Sequence, residues 1–316
     1  MSLMGNKISV AIAVYNGGKY LKEQLDSLYS QTLIPDEIVA VDDCSTDNTK
    51  NILEEYHKKY GLIYHINETN LGVNKNFEKA ISLCSNDYIA LCDQDDIWMS
   101  HKIETSFKRL KSIENNMPTL VSSGCINVDE NLNIISEPIA TKDSDLYIAT
   151  LLGHQSQGSS LMMNRSLLKY ILPFPTDSKI IFDIYIGLIA AMVGNKYNIA
   201  EKLMYYRHHQ SNLCGVINPK KIPFRERLNN KYSNRYPRIV SEGRLYNMKT
   251  VANLKSKYFI PSRVELYFKL LSLDSATNIL QKIHIIFSIK ELSFKKKFLA
   301  LPDILFSHLF KMIVKI

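Results

Sequence analysis

The chain is poor in several features that mark common classes of protein. It has 5 cysteines and 1 tryptophan among 316 residues. The cysteines are odd in number, scattered and without a C-x-x-C pair, which argues against a disulfide framework or a zinc site and indicates a reducing compartment. No uncharged apolar run reaches the ~18 residues that a membrane-spanning helix needs, and no signal-peptide core precedes the first strand. We therefore expect a cytoplasmic protein.

Two nucleotide-binding patterns are also missing. The sequence contains neither G-x-G-x-x-G nor G-x-x-x-x-G-K-[ST]. These runs cradle phosphates in dinucleotide-binding dehydrogenases and in P-loop enzymes, so neither class is favoured. The length predicts about two structural units, given roughly 100 to 200 residues per domain.

Charge divides the chain into two parts. Residues 216–316 carry 20 basic and 6 acidic residues, a net charge of +14, whereas residues 1–215 carry 19 and 25, a net charge of −6. We predict a catalytic domain over residues 1–215 and a basic, mainly helical region over residues 216–316. The partner of the basic region is expected to be anionic.

Strand and helix patterns alternate through the first hundred residues. Apolar runs predict strands over residues 7–14, 37–41, 62–66 and 88–91. Helical spacing or a capping residue predicts helices over residues 20–29, from Thr46 or Asp47 to residue 60, and over 73–83. Such alternation is typical of a Rossmann-like, doubly wound α/β fold with a mostly parallel sheet and helices on both faces. Ligands bind such sheets at the carboxyl ends of the strands.

The run D-Q-D-D at residues 93–96 follows the last of these predicted strands. Residues two apart on an extended chain point the same way, so Asp93 and Asp95 are expected to present their carboxylates to one spot. Three acids within four residues repel one another, which favours a bound cation. Two carboxylates suit Mg²⁺ or Mn²⁺ with water and phosphate oxygens completing the shell. The alternative is a polar turn with solvated acids.

Four motifs, in this order, resemble those of the family-2 glycosyltransferases. They are S-V-A-I-A-V-Y-N at 9–16, V-D-D-C-S-T-D at 41–47, N-L-G at 70–72 and D-Q-D at 93–95. The resemblance continues with Q-G-S-S at 157–160, F-D at 182–183 and Y-R-H-H-Q-S-N at 206–212. The last segment and D-Q-D-D-I-W are similar to a bacterial polysaccharide branch that includes rhamnosyl- and galactosyltransferases. The resemblance covers residues 7–215, and Phe182 departs from the polar residue that the family usually has there.

The resemblance implies a GT-A fold and transfer of a sugar, with inversion, from a UDP- or dTDP-linked donor. Asp43 would accept a hydrogen bond from the pyrimidine, while Asp42 would support the loop; the alternative for Asp42 and Asp47 is helix capping. Asp93 would lie near the ribose or metal, Asp95 would hold the metal, and Asp96 would lie behind them. The donor-binding residues implied are Ala13, Tyr15, Asn16, Asp42, Asp43, Asn70, Gly72, Asp93 and Arg207.

Inversion requires one base, and the resemblance implies Asp183 for this role. Its apolar neighbours in the sequence are expected to raise its pKa, although a helix cap or a buried ion pair is the alternative. Arg207 and His209 would contact the departing diphosphate, with His209 a further metal ligand or else a structural ring. Trp98 is expected to pack in the core rather than to stack on a sugar.

Beyond residue 215 the prediction rests on composition. Residues 304–316 predict a cationic amphipathic helix, which either packs on the catalytic domain or binds an anionic membrane surface. No nucleic-acid-binding motif accompanies the basic stretch at residues 225–244 or the three lysines Lys295, Lys296 and Lys297. We expect a glycan or lipid-linked acceptor, and peripheral contact with the inner face of the membrane. A nucleotidyltransferase and a non-catalytic nucleotide- or lipid-binding module are the alternatives.

Overall fold

The computed structural model describes residues 6–113, 117–138, 144–145, 150, 156–176, 180–210 and 212, with single positions at 258, 260, 281 and 284. These residues form a mixed α/β structure built on one sheet. The strands are β1 (Ile8–Val14), β2 (Glu37–Asp42), β3 (Ile63–Ile66), β4 (Tyr88–Asp93), β5 (Ile97–Trp98), β6 (Thr119–Val128), β7 (Ile134–Ser136), β8 (Ser144–Asp145), β9 (Leu161–Asn164) and β10 (Asn195–Arg207).

The sheet runs in the order β3-β2-β1-β4-β9-β6-β10-β5, with β7 paired to β6 and β8 to β10. The four strands from β3 to β4 are parallel, whereas β9 is antiparallel to both β4 and β6. Because β10 is parallel to β6, six of the eight strands in that order point the same way. The mostly parallel sheet that the sequence predicts is therefore confirmed, with an antiparallel insertion between its two parallel parts.

Helices cover both faces of the sheet. They are α1 (Leu21–Tyr29), α2 (Thr49–Tyr60), α3 (Val73–Leu83), α4 (Lys102–Ser112), a one-turn α5 (Leu168–Ile171) and α6 (Phe182–Val193). Alternate residues of β1 explain the two layers: Val10 and Ile12 pack with α1 and α2, while Ala11 packs with α3 and α6. Both cores consist of closely packed apolar side chains, so the polar groups at the strand ends have a rigid support.

The predicted elements of the first hundred residues all form. The four predicted strands and the helices over residues 20–29 and 73–83 correspond to β1 to β4, α1 and α3 within a residue or two at each end. The second helix begins at Thr49, and its first N–H group donates to Asp47 Oδ1 at 3.0 Å, so Asp47 does cap it. Trp98 is buried in the core, as predicted, with the Lys102 ammonium 4.4 Å from its ring centroid.

The basic region is described at only a few positions. Ile260 donates its backbone N–H to Met192 O of α6 at 3.0 Å, and the ring of Tyr258 meets that of Tyr170 edge-on at 5.3 Å. The predicted amphipathic helix at residues 304–316, the basic stretch at 225–244 and the lysines at 295–297 lie outside the described residues. Within the described residues, no helix has the length and apolarity needed to cross a membrane.

Candidate active site

The carboxyl ends of β1, β2, β4 and β10 lie at one edge of the sheet, because these strands are parallel in direction. The register places Ala13 of β1 opposite Val41 of β2 on one side and Asp93 of β4 on the other. Three of the four motifs thus meet within two strand spacings, about 10 Å. The fourth motif, at residues 70–72, joins them through side-chain contacts.

Asp43 organises the first group of polar residues. Its carboxylate is buried and accepts three hydrogen bonds, from Asn67 Nδ2 at 2.8 Å, Leu71 N at 2.8 Å and Gly72 N at 2.9 Å. Asn70 completes the contact by donating to Asp43 O at 3.3 Å. Among the described residues these bonds occupy three of about four acceptor positions of the carboxylate, which leaves one for a ligand N–H group.

The loop after β2 is closed by two further side chains. Asp42 is buried and accepts from the hydroxyl and the N–H group of Ser45, and burial raises the pKa of Asp42 above its ordinary value. Asn16 has a φ of 49° and bonds the same loop through Ser45 Oγ at 2.8 Å and Thr46 N at 2.9 Å. The residues Asn16, Asp42, Asp43, Asn70 and Gly72 are called the Asp43 cluster below.

Gln94, between the two acids of D-Q-D, joins the end of β4 to Tyr15, the residue that precedes Asn16 of this cluster. Its Oε1 accepts from Tyr15 N at 2.7 Å and its Nε2 donates to Tyr15 O at 2.9 Å. A Cβ on Gly17 would lie 2.7 Å from the same Oε1, so Gly17 makes room for the amide. The ring of Tyr15 stays 48% exposed. Sequence reasoning missed Gln94, because the middle position of the motif carries no charge to draw attention to it.

Asp93 ends β4 on the face that α6 covers. It continues the alternation of Ile89 and Leu91, both of which pack in the core that contains α6. Burial, followed by the charges of Asp95 and Asp183, raises the pKa of Asp93 to about 8, and the Ser159 hydroxyl acts in the opposite direction. The charge of Asp183 thus acts on Asp93, so the two predicted site residues lie near each other.

Asp95 and His209 are brought together. His209 Nε2 lies 2.8 Å from Asp95 Oδ2, and their side chains are 9% and 15% exposed. The histidine ring also lies over Tyr20, at 5.0 Å between centroids. These two residues lie 114 positions apart in the sequence, and the resemblance implied both as ligands of one metal ion, with a structural ring as the alternative for His209.

Arg207 holds the acidic loop in place. The side chain is buried, and its Nε donates to Asp95 O at 2.9 Å. Its other nitrogens donate to Glu130 O at 2.9 Å and to the carboxylate of Glu23, and the guanidinium covers the ring of Tyr20. Four residues of the chain therefore surround a group that was predicted to contact the diphosphate, and that role stays a prediction.

Asp96 lies behind the loop and is fully buried. Its Oδ1 accepts from Arg207 N at 3.2 Å, whereas Oδ2 has no hydrogen-bond partner among the described residues. Burial, with the charges of Asp95 and Asp93, raises the pKa of Asp96 well above its ordinary value. The four acids Asp93, Asp95, Asp96 and Asp183 are called the acidic cluster below.

Asp183 lies in the first turn of α6. Burial raises its pKa, as the apolar neighbours predict, while the Ile184 N–H group donates to Oδ1 at 2.6 Å and partly offsets this effect. The charge of Lys196 also lowers the pKa of Asp183. Lys196 is itself 1% exposed, and burial lowers its pKa to about 8. Sequence reasoning missed this lysine, because nothing in a strand pattern marks one lysine as buried.

Phe182 points away from the acids. Its ring stacks on Phe77 of α3 at 4.0 Å between centroids and presses on Gly158, where a Cβ would lie 2.4 Å from the Phe182 Cζ atom. The departure from the polar residue usual at this position therefore concerns the core. Gly158 is required by this contact, and the neighbouring Ser159 hydroxyl then faces Asp93 and Asp96.

The residues at this edge fit a divalent cation. The carboxylates of Asp93 and Asp95 are oxygen donors suited to Mg²⁺ or Mn²⁺. Burial is the main reason that the pKa of Asp93 is raised, followed by the charges of Asp95 and Asp183. His209 is in direct contact with Asp95. In the described part of the chain, no three His, Cys, Asp or Glu side chains are gathered around one point, so these residues do not form a complete metal site by themselves.

Comparisons with known proteins support the same reading of the motifs. The model of the family described as "Glycosyl transferase family 2" matches residues 9–171. This chain belongs to glycosyltransferase family 2. The "Uncharacterized glycosyltransferase MJ1057" of Methanocaldococcus jannaschii is 32% identical over 227 residues, which is 68% of this chain and 76% of that protein. The match confirms the resemblance seen in the motifs, and the chain is a glycosyltransferase.

A shorter match and a solved structure add to the comparison. The "dTDP-rhamnosyl transferase RfbG" of Shigella flexneri is 41% identical over 102 residues, 30% of this chain and 35% of that protein. The crystal structure of S. aureus TarS 1–349 in complex with UDP-GlcNAc has a TM-score of 0.61 at 18% identity, covering 94% of this chain and 79% of that one. The structural likeness confirms the GT-A fold.

Proposed function

We propose that this glycosyltransferase is an inverting, metal-dependent enzyme that moves a sugar from a UDP- or dTDP-linked donor to a glycan or lipid-linked acceptor in bacterial surface polysaccharide synthesis. One observation carries the proposal. The acids of D-Q-D, Asp183 and His209 come from three separate segments: Asp95 is in contact with His209, and the charge of Asp183 acts on Asp93 at the carboxyl edge of the sheet. Such convergence of acids on a GT-A sheet suits a donor diphosphate, a cation and a base.

The donor would lie across the Asp43 cluster and the acidic cluster. Asp43 retains one acceptor position for the N–H group of a pyrimidine, and the exposed ring of Tyr15 stands beside it at the end of β1. The complexes of TarS with UDP-GlcNAc and with UDP support a nucleotide-sugar donor. The name of the Shigella flexneri relative supports a dTDP-linked sugar as the second possibility.

In the reaction, the acceptor hydroxyl oxygen attacks the anomeric carbon from the face opposite the diphosphate. The bond from this carbon to the diphosphate oxygen breaks, the nucleoside diphosphate leaves with the electron pair, and Asp183 takes the hydroxyl proton. A partly buried acid with a raised pKa is suited to this transfer near neutral pH, whereas an exposed aspartate would be a weaker base.

Asp93, Asp95 and His209 would hold the cation. When bound, Mg²⁺ or Mn²⁺ neutralises charge that develops on the leaving diphosphate. His209 can serve as a ligand only through a deprotonated ring nitrogen, so it must exchange its present contact with Asp95 for the cation. Arg207 would keep Asp95 in place through the backbone carbonyl of that residue.

The basic region is proposed to contact an anionic membrane surface that carries the acceptor. Its charge of +14 supports the proposal, while the contacts of Tyr258 and Ile260 with the catalytic domain support packing for at least part of it. Binding to vesicles should rise with the anionic lipid fraction and weaken with salt, because the Debye length falls from ~10 Å at 0.1 M to ~3 Å at 1 M. Equally weak cosedimentation with neutral vesicles and with anionic ones would favour packing.

The function is tested by screening nucleotide sugars with Mn²⁺ in a thermal-shift assay, since a ligand that binds the folded state raises the unfolding temperature. The selected donor is then incubated without acceptor. A glycosyltransferase releases a free nucleoside diphosphate slowly by hydrolysis, with water replacing the acceptor. A nucleotidyltransferase instead releases pyrophosphate from a nucleoside triphosphate, and a binding module releases nothing. Either of the latter results would contradict the proposal.

A further inference from the structure

Asn74, in the first turn of α3, bonds two backbone groups of the segment that leads into α6. Its Nδ2 donates to Ile180 O at 2.8 Å, and its Oδ1 accepts from Phe182 N at 2.9 Å. The two bonds flank Ile181, which precedes the helix. Asn74 thus uses both ends of its side-chain amide to hold the residues on either side of Ile181, at the start of α6.

This contact acts on the residue next to Asp183. Phe182 is the first residue of α6, and the first N–H groups of a helix have no partner within the helix. Asn74 supplies the missing acceptor from a different element. Because Asp183 follows directly, the position of its side chain depends on where Asn74 holds this first turn.

The same turn of α3 is bonded to the Asp43 cluster. Asn76 Nδ2 donates to Val41 O at 2.9 Å and to Val14 O at 3.3 Å, which ties α3 to the ends of β1 and β2. Asn76 Oδ1 accepts from Asn67, whose amide also donates to Asp43 at 2.8 Å. Hydrogen bonds from the first turn of α3 therefore reach the Asp43 carboxylate through Asn67 on one side and the first turn of α6 through Asn74 on the other.

We propose that Asn74 is a positioning residue that holds Asp183 at a fixed place relative to the bound donor. The inference rests on the proposed role of Asp183 as the base. It assigns a task to a residue outside the four motifs, two positions after Gly72. Asn74 itself does not touch the reacting atoms in this proposal.

The first test replaces Asn74 with leucine, which has nearly the same shape and no hydrogen-bonding group. A displacement of about 1 Å at a reacting group can lower a rate by about 10²-fold. For Asn74→Leu we expect kcat for hydrolysis of the donor selected by the thermal-shift screen to fall about tenfold to a hundredfold. Calorimetric affinity for UDP or dTDP with Mn²⁺ should stay within about twofold, because the donor contacts at Asp43 remain.

Asn164 offers a matched control at the opposite edge of the sheet. Its Oδ1 accepts from Thr119 N at 2.9 Å and its Nδ2 donates to Met117 O at 2.8 Å, so it makes the same pair of backbone contacts as Asn74. Asn164→Leu should lower the unfolding temperature to a similar extent as Asn74→Leu. Its kcat should remain near that of the unsubstituted enzyme.

A second variant covers the case in which Asn74→Leu fails to fold. Asn74→Asp keeps the acceptor for the Phe182 N–H group and loses the donor to Ile180 O. Its kcat should therefore lie between those of the unsubstituted enzyme and Asn74→Leu. Where Asn74→Leu cannot be measured, the kcat of Asn74→Asp should lie below that of the unsubstituted enzyme. The inference is overturned if the folded Asn74 variants keep the kcat of Asn164→Leu, or if nucleotide affinity falls as much as kcat. Near-normal turnover by Asp183→Asn would instead remove the proposed base itself, and the inference with it.

Discussion

The Asp43 cluster and the acidic cluster lie at neighbouring strand ends, yet they are stabilised in opposite ways. In the first, three backbone or amide N–H groups satisfy one buried carboxylate. In the second, neighbouring acids raise one another's pKa, one buried oxygen of Asp96 has no partner among the described residues, and the pKa of Asp93 is raised to about 8. The carboxylate of the first cluster is thus largely satisfied by the chain itself, whereas the acids of the second are not. Under the proposed function, a cation and a donor would neutralise the charge of the second cluster.

The largest expected effect is on turnover, at Asp183. Asp183→Asn keeps the shape of the side chain and loses the proton acceptor, so kcat should fall by about 10² to 10⁴ with donor affinity nearly unchanged. Steady-state kinetics and calorimetry with UDP or dTDP measure the two quantities. Near-normal turnover in this mutant would show that another acid is the base and that Asp183 has no catalytic role.

The second prediction concerns cation binding at Asp95. Asp95→Asn keeps an acceptor for His209 and loses the charge, so metal-dependent binding of UDP or dTDP should be abolished while the fold stays intact. Calorimetry with and without Mn²⁺ measures this loss, and circular dichroism checks the fold. Unchanged affinity and metal dependence would show that the acidic cluster has no role in binding a cation.

The third prediction concerns the stability of the Asp43 cluster. Asp43→Asn replaces one acceptor oxygen with an amide that faces backbone N–H groups, so the free energy of unfolding should fall by about 1–3 kcal/mol for each donor left unsatisfied. Urea unfolding measures the change. A neutral effect would mean that this cluster, like the acidic one, is not satisfied in the absence of ligand.

The last prediction concerns the pH dependence of stability at Asp93. Its pKa in the folded protein is raised to about 8, so the folded state binds more protons than the unfolded state from about pH 4 to pH 8. Stability of the metal-free protein should therefore fall as pH rises through this window. Asp93→Asn should flatten the fall, as measured by unfolding temperature at several pH values. An identical slope in both proteins would contradict the raised pKa.

The sequence predicted the sheet because strand periodicity is a local signal, whereas the roles of the members of both clusters were implied by the resemblance of the motifs to a known family. Asp93, Asp95 and His209 were found by motif, and the structure brings the last two within 2.8 Å. Gln94 and Asn74 were missed because their function lies in contacts with backbone groups 79 and more than 100 positions away. Such contacts depend on tertiary packing and leave no pattern along the chain.

Lys196 was also missed, because its burial cannot be predicted from the sequence. It is the second residue of β10, where a lysine is ordinarily predicted to be exposed to solvent, yet its side chain is almost fully buried. The reason is Gly187 of α6, where a Cβ would lie 3.0 Å from the Lys196 Nζ atom. A glycine four positions after Asp183 thus gives the ammonium room on the helix face that carries the proposed base. Only the packed helix reveals that the two positions belong together.

The contact between Gly158 and the ring of Phe182 limits which substitutions these two positions can accept during evolution. With the Cζ atom 2.4 Å from any added methyl group, position 158 tolerates a larger side chain only after position 182 has become smaller. The two positions must therefore be exchanged as a pair, and in that order. A smaller residue at position 182 would release this constraint, so the size of one side chain indicates how much freedom the other position has.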